Sequence, residues 1–247
     1  MIDILKSLEI AKESALSAGK LLINSKKDLN FEKSSEGKDI KLKADHEAEN
    51  LIKKYISSHS SYPILGEETG SSVETLGETF WAVDPLDGTA NYSRGIPICC
   101  VSIALIHNLE PVVGVINDFN NHDLYEGSVD SKAMLNGVNI EVAKHSKKEN
   151  GILLTGLPLL TDYSDDALLS MVKDFQQWKK VRMIGSAAMA SVYVASGKAD
   201  LYKENGSFLW DIAAGAAIVN AANGKAIISN RKDNYQVDII FTNNYLS

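Results

Sequence analysis

Apolar side chains recur in the first 25 residues at Leu5, Leu8, Ala15, Ala18 and Leu22, close to the i, i+3, i+7 spacing that predicts an amphipathic helix over 2–25, with Gly19 a weak point. Residues 28–44 are polar and lysine-rich around Gly37, the composition of a loop or edge hairpin over an active site. A second helix is expected from Asp45 as N-cap, its buried stripe being Ala48, Leu51, Ile52, Tyr55 and Ile56. Short apolar runs predict strands at 63–66 and 80–84. A short helix and turn is expected at 90–97, then strands at 98–107, 111–118 and 123–127, the first two joined through Asn108-Leu109-Glu110. Asn136-Gly137 signals another turn.

The chain turns polar around 140–152, which is where a boundary between two subdomains of one domain is expected, about 1–145 and about 146–247. Beyond it, strands at 152–155, 181–184 and 201–203 alternate with helices at 165–179, 186–196 and 211–222, and strands near 225–229 and 237–242 close the pattern. That alternation predicts a sheet with helices on both faces. Small residues crowd 186–190 and 213–217, as close helix packing requires.

Three of these elements end in acids. Trp81-Ala82-Val83 runs into Asp84-Pro85-Leu86-Asp87-Gly88-Thr89, Tyr62-Pro63-Ile64-Leu65 into Gly66-Glu67-Glu68, and Trp210-Asp211 opens an alanine-rich helix. An extended strand would hold Asp84 and Asp87 roughly 10 Å apart. A turn beginning at Pro85 would let the two converge on a hard cation, for which Mg²⁺ takes carboxylate oxygens. Gly88 lets a backbone approach an anion, and a helical turn starting near Thr89 would offer its free N–H groups to a phosphate. The plain alternative for Asp-Pro-Leu-Asp-Gly is a surface turn. Acids placed repeatedly at the ends of apolar elements favour a cation site, because their burial without one is costly. For Asp45 and Glu49, helix-end electrostatics is the simpler reading, and Glu68 reads as a solvated acid.

With 247 residues, 45% of them hydrophobic, the chain can bury a sizeable core, and disorder is not expected. A net charge of −7 without a dense basic run disfavours nucleic acid. No apolar run reaches membrane-span length and the start lacks a signal-peptide pattern, so a cytoplasmic location is expected. Cys99 and Cys100, adjacent in a strand, should point to opposite faces and form no disulfide with each other. The five histidines lack zinc-site spacing.

The set GEE at 66–68, DPLDGT at 84–89, GSAA at 185–188 and WDIAAG at 210–215 resembles the inositol monophosphatase family along nearly the whole chain. The resemblance implies a layered αβαβα sandwich, the sugar-phosphatase fold of α+β class. It also implies a lithium-sensitive phosphomonoesterase using two or three Mg²⁺ ions, acting on inositol 1-phosphate or a related sugar or polyol phosphate, and a homodimer. Glu67, Asp84, the Leu86 carbonyl, Asp87 and Asp211 would be the metal ligands. Glu67 and Thr89 would orient the attacking water. Asp87, Gly88, Thr89, Ser186, Ala187, Glu204 and Asp211 would bind substrate, Glu204 through its hydroxyls, and Asp45 would lie beside the metals. Fructose 1,6-bisphosphate and 3'-phosphoadenosine 5'-phosphate are the alternative substrates implied, and a non-catalytic binder of phosphorylated ligands or an assembly subunit is the alternative class. The chain departs from the family where Lys41-Leu42 replaces a Val-Thr pair, where Lys33 is offset by one position, where Phe208 replaces a polar residue, and after Asn243-Asn244, where many members carry a last helix.

Overall fold

The computed structural model describes residues 2–26, 32–36, 39–158 and 162–246. Helix α1 (Ile4–Asn24) starts where Asp3 accepts the Lys6 N–H at 3.0 Å. Its buried stripe runs through Leu8, Ala11, Ala15, Ala18 and Leu22, whereas Leu5, expected inside, is 68% exposed. Strands β1 (Glu32–Glu36) and β2 (Asp39–Leu42) form an antiparallel hairpin within the segment read as loop or hairpin, while residues 27–31 and 37–38 of that segment lie outside the described residues. Helix α2 (Lys43–His59) follows. It begins two residues earlier than expected, so Asp45 is its third residue and not its N-cap.

The large sheet comprises β3 (Ile64–Gly66), β4 (Gly70–Ser71), β5 (Thr79–Asp87), β6 (Cys100–His107), β7 (Glu110–Asp118), β8 (Asp123–Ser128), β9 (Ser131–Leu135) and β10 (Val138–Asn139), in the order β10-β9-β8-β7-β6-β5-β3-β4. It is antiparallel except where β3 runs parallel to β5. The short helix α3 (Thr89–Arg94) leaves the end of β5. Sequence reading omitted β4, β9 and β10, which are only two to five residues long. It did identify the Asn108-Leu109 and Asn136-Gly137 turns, whose positive φ values suit tight hairpins.

The smaller sheet has the order β12-β11-β13-β15-β14, from β11 (Ile152–Leu154), β12 (Lys180–Arg182), β13 (Leu201–Phe208), β14 (Lys225–Ser229) and β15 (Gln236–Thr242). It is mixed, because β15 runs antiparallel to both β13 and β14. Helix α4 (Asp165–Phe175), capped by Ser164, stops four residues short of expectation, where the chain turns to bury Trp178. Strand β13 continues five residues beyond the expected 201–203, since Glu204 and Asn205 still pair with Ile239 and Asp238. Polar side chains at those positions hid the strand.

Helices α5 (Ala187–Ala195) and α6 (Leu209–Ala221) are apolar all round because they lie between the two sheets, α6 packing on β5 to β8 on one side and on β13 to β15 on the other. Their small residues allow this closeness: a Cβ on Gly215 would meet Ser191 Cβ at 2.2 Å, and one on Gly114 of β7 would meet the Ala214 carbonyl at 2.2 Å. Helices α1 and α2 cover the opposite face of the large sheet. With α4 against the outer face of the smaller sheet, where Asp174 pairs with Lys203 at 2.8 Å, the chain is a layered αβαβα sandwich of α+β class with two apolar cores, one around α5 and α6 and one beneath α1 and α2. Cys99 and Cys100, both free, face different cores.

Candidate active site

Strand β5 does not end at Asp84, and no turn starts at Pro85. It runs to Asp87 with a bulge: Asp84 pairs with Ser102 and Asp87 with Cys100, so three steps on β5 match two on β6. In a regular strand residues i and i+3 face opposite sides. The extra residue brings Asp84 and Asp87 back to one side. Pro85, which has no N–H for a ladder, falls within the bulge, and the Leu86 N–H is taken by Asp84 Oδ1 at 2.9 Å. Gly88 then adopts φ +87°, and a Cβ there would lie 2.7 Å from the Ile98 carbonyl, so only glycine turns the chain into α3 at this point.

Glu67 enters from the neighbouring strand. The pairing of β3 with β5 places Gly66 opposite Val83, and the Glu67 N–H donates to the Val83 carbonyl at 3.1 Å, bringing Glu67 beside Asp84. Asp211 arrives from the second half as the third residue of α6. Phe208, just before that helix, has no side-chain acceptor, so its N–H donates to Asp211 Oδ2 at 3.1 Å. Asp45 repeats this arrangement at α2, where it accepts the Leu42 N–H. Helix-end electrostatics is therefore one of its roles. Its other oxygen accepts from Thr89 Oγ1 at 3.1 Å, and Thr89 Oγ1 also lies 3.0 Å from the Leu86 carbonyl. The side chains of Lys33 and Lys41 lie outside the described residues.

Carboxylate oxygens of Glu67, Asp84 and Asp211 all lie within 4.8 Å of one another. Asp87 is adjacent, but its carboxylate is held by the start of α5: Ser186 Oγ donates to it, as do the N–H groups of Ala188 at 2.7 Å and Ala187 at 3.3 Å. Ser186 and Ala187, expected to bind substrate, thus also anchor Asp87. Burial is the main force raising the pKa of every acid in the group. It lifts Asp45 to about 7 against the Leu42 N–H, and Glu67 to about 8 against a hydrogen bond with Asp84. Asp84 and Asp211 are held well above the usual carboxylate range by burial and by neighbouring acids, while Asp87 is raised by burial and drawn back by Ser186 and the α5 N–H groups.

Above these acids opens a cavity of about 520 Å³ lined by Glu67, Asp87, Thr155, Gly156, Ile184, Ser186, Tyr202, Glu204, Phe208, Trp210 and Asp211, among others. No Lys, Arg or His lines it among the described residues. Glu204 stands on β13 and accepts from Ser207 Oγ at 2.8 Å; burial raises its pKa. Phe208 and Trp210 stack at 4.8 Å, with their rings 3° from parallel. Sequence alone did not reveal the role of Asn91, which donates to the Ile98 and Ile184 carbonyls at 2.8 Å and ties α3 to the segment before α5. Nor did it show what Glu49 does on α2, although its spacing of four from Asp45 places both acids on one helix face.

A two-sheet αβαβα sandwich with an acidic pocket, unlined by Lys, Arg or His among the described residues, has the layering of the sugar-phosphatase fold. The sequence profile of the inositol monophosphatase family matches residues 4–245. Similar relatives include the Nus factor SuhB of Xylella fastidiosa, 38% identical over 88% of this chain and 80% of its own, and the inositol-1-monophosphatase of Synechocystis, 33% identical over 90% and 78%. The solved inositol monophosphatase of Anabaena superposes with a TM-score of 0.85 over 98% of this chain and 92% of its own, at 32% identity. The chain belongs to the inositol monophosphatase family, and so to the phosphoric monoester hydrolases.

Proposed function

We propose that the protein is a Mg²⁺-dependent phosphomonoesterase acting on inositol 1-phosphate or a related sugar or polyol phosphate, as a cytoplasmic homodimer. The observation that carries the reading is the convergence of Glu67, Asp84 and Asp211 within 4.8 Å at a cavity with no basic lining residue among those described. Like charges so close, with Asp84 buried and Glu67 and Asp211 half-buried, call for a cation, and an all-oxygen donor set suits Mg²⁺. Two or three ions would be held by Glu67, Asp84, the Leu86 carbonyl, Asp87 and Asp211. The bonds already made to Asp87 leave room for this, since a carboxylate offers about four lone-pair sites. Such ions, when bound, neutralise phosphoryl oxygens and acidify water.

The chain's own groups do the rest. Glu67 accepts the proton of the attacking water, and the Thr89 hydroxyl, steadied by Asp45, orients it. The N–H groups of Gly88 and Thr89 hold phosphate oxygens at the start of α3, where the first N–H groups of a helix lack intrahelical partners. Glu204, on the far side of the cavity, accepts hydroxyls of the leaving polyol. Attack by water gives free phosphate and the alcohol directly, without a covalent phosphoenzyme.

A panel of phosphate esters assayed for phosphate release across a Mg²⁺ titration tests this. Turnover of inositol 1-phosphate or a sugar phosphate that requires Mg²⁺ is expected. Preference for fructose 1,6-bisphosphate or 3'-phosphoadenosine 5'-phosphate would move the substrate within the same chemistry, and a relative from Aquifex aeolicus, 34% identical, is named fructose-1,6-bisphosphatase/inositol-1-monophosphatase. The non-catalytic reading has in its favour that two relatives are named Nus factor SuhB. Mg²⁺ binding without turnover of any ester would favour it.

A further inference from the structure

Glu49 is fully buried on α2, one turn after Asp45, yet it belongs to neither the acidic cluster nor the substrate cavity. A carboxylate in such a place is costly unless its oxygens are satisfied. Here they are satisfied by the 68–69 segment and by Lys53 of the same helix. The Glu68 N–H donates to Glu49 Oε2 at 2.8 Å, Thr69 Oγ1 donates to Oε1, and Lys53 Nζ, which also donates to Thr69 Oγ1, stands 3.7 Å from Oε1. The carboxylate lies flat against Gly66: a Cβ there would sit 2.6 to 2.7 Å from its atoms. Glu49 therefore touches the chain at 66, 68 and 69, on both sides of Glu67.

The consequence for Glu67 follows from its two flanking peptides. The peptide before it is fixed by the Glu67 N–H on the Val83 carbonyl, and the peptide after it by the Glu68 N–H on Glu49. With both planes held, the backbone dihedrals of Glu67 are set, and so is the direction of its side chain toward Asp84 and Asp211. We propose that Glu49, through its grip on the Gly66–Thr69 turn, is the positioning residue that aims Glu67 into the carboxylate cluster and thereby sets the cluster's affinity for divalent cations. This rests on the phosphatase reading only for its effect on turnover; the grip itself does not depend on it.

The test uses full-length Glu49→Gln, Glu49→Ala and Thr69→Val. Mg²⁺ and Mn²⁺ binding is measured by calorimetry, kcat and half-saturating Mg²⁺ by phosphate release, and protection of the Glu68 amide by hydrogen exchange. Gln keeps one acceptor for the Glu68 N–H, so the expected order of cation affinity is wild type above Glu49→Gln above Glu49→Ala. Glu49→Gln should lose about tenfold in affinity, the effect typical of groups that orient a metal ligand. Half-saturating Mg²⁺ should rise more than kcat at saturating Mg²⁺ falls, and the Glu68 amide should exchange faster. Lower thermal stability in metal-free buffer with unchanged cation affinity would overturn the proposal, because a purely structural acid acts that way. If Glu49→Ala does not fold, Glu49→Gln and Thr69→Val decide between the same outcomes. A wild type that binds no divalent cation would sink the phosphatase reading, and the clamp would then stand or fall on whether the Glu68 amide is protected in wild type and released in Glu49→Gln.

Discussion

Replacing Asp84 by Asn should abolish activity while making the metal-free protein more stable at alkaline pH. The amide keeps the shape of the carboxylate and an oxygen to accept the Leu86 N–H, so the bulge survives. What changes is charge. With carboxylate oxygens no more than 4.8 Å apart, two ionised members repel by at least about 3 kcal/mol at an effective dielectric constant near 20. Asp84 faces Glu67 on one side and Asp211 on the other, and a raised pKa means that part of this repulsion is avoided by holding a proton. The net gain for the Asn variant should therefore be on the order of 1 to 3 kcal/mol at pH 9, which for a chain of this size is a rise in Tm of about 2 to 12 °C. At pH 5, below the raised pKa of Glu67, less of this repulsion is present in either protein, and the difference should shrink.

The assay is thermal unfolding of both proteins in a chelator at pH 5 and pH 9, together with kcat/KM at saturating Mg²⁺. An Asn variant less stable than wild type by the same margin at both pH values would show that Asp84 acts through packing and not through charge. Retention of more than about a tenth of wild-type kcat/KM would deny it a ligand's role, since so small a loss is only ~1.4 kcal/mol of transition-state stabilisation.

Wild-type stability without metal should fall as pH rises from about 4.5 to about 8. Glu67 binds its proton more tightly folded than unfolded, so the stability present below its ordinary pKa is lost as pH climbs through about 8, and stabilisation by Mg²⁺ should grow over the same window; flat unfolding curves in chelator would refute this. Glu204→Ala should lower kcat/KM for the polyol phosphate roughly tenfold to a hundredfold and leave nitrophenyl phosphate little changed, since only a polyol offers charge-assisted hydrogen bonds; equal losses would make Glu204 a support of the site. Li⁺ at millimolar levels should inhibit uncompetitively with respect to substrate, as family resemblance implies, and insensitivity at high Li⁺ would place the enzyme outside the lithium-sensitive branch.

The sequence made Asp84, Glu67 and Asp211 legible for a simple reason: each ends or opens an apolar element, and an acid there is conspicuous. The way Asp84 and Asp87 come to face one side was not legible. Turn-forming residues and a bulge look alike along one strand, and only the register against Ser102 and Cys100 separates them. Strand β13 was cut short for a related reason, because Glu204 and Asn205 carry polar side chains, Glu204 at the acidic cavity, where a strand pattern would be apolar. Leu5 was misplaced because the packed stripe runs through Ile4, Leu8, Ala11 and Ala15, and Leu5 falls one position off it.

Local sequence rules are weakest where two segments distant in the chain complete one site. Asp87 reads as one more cation ligand beside Asp84, yet its carboxylate is first the acceptor for the start of α5, a hundred residues away. The same start is expected from the family resemblance to bind substrate through Ser186 and Ala187, and the structure gives it a prior anionic partner in Asp87 itself. Substrate contact by Ser186 and Ala187 must then coexist with that partner. The bonds from the start of α5 to Asp87 join β5 to the second half of the chain, which also supplies Asp211 and Glu204 to the cavity.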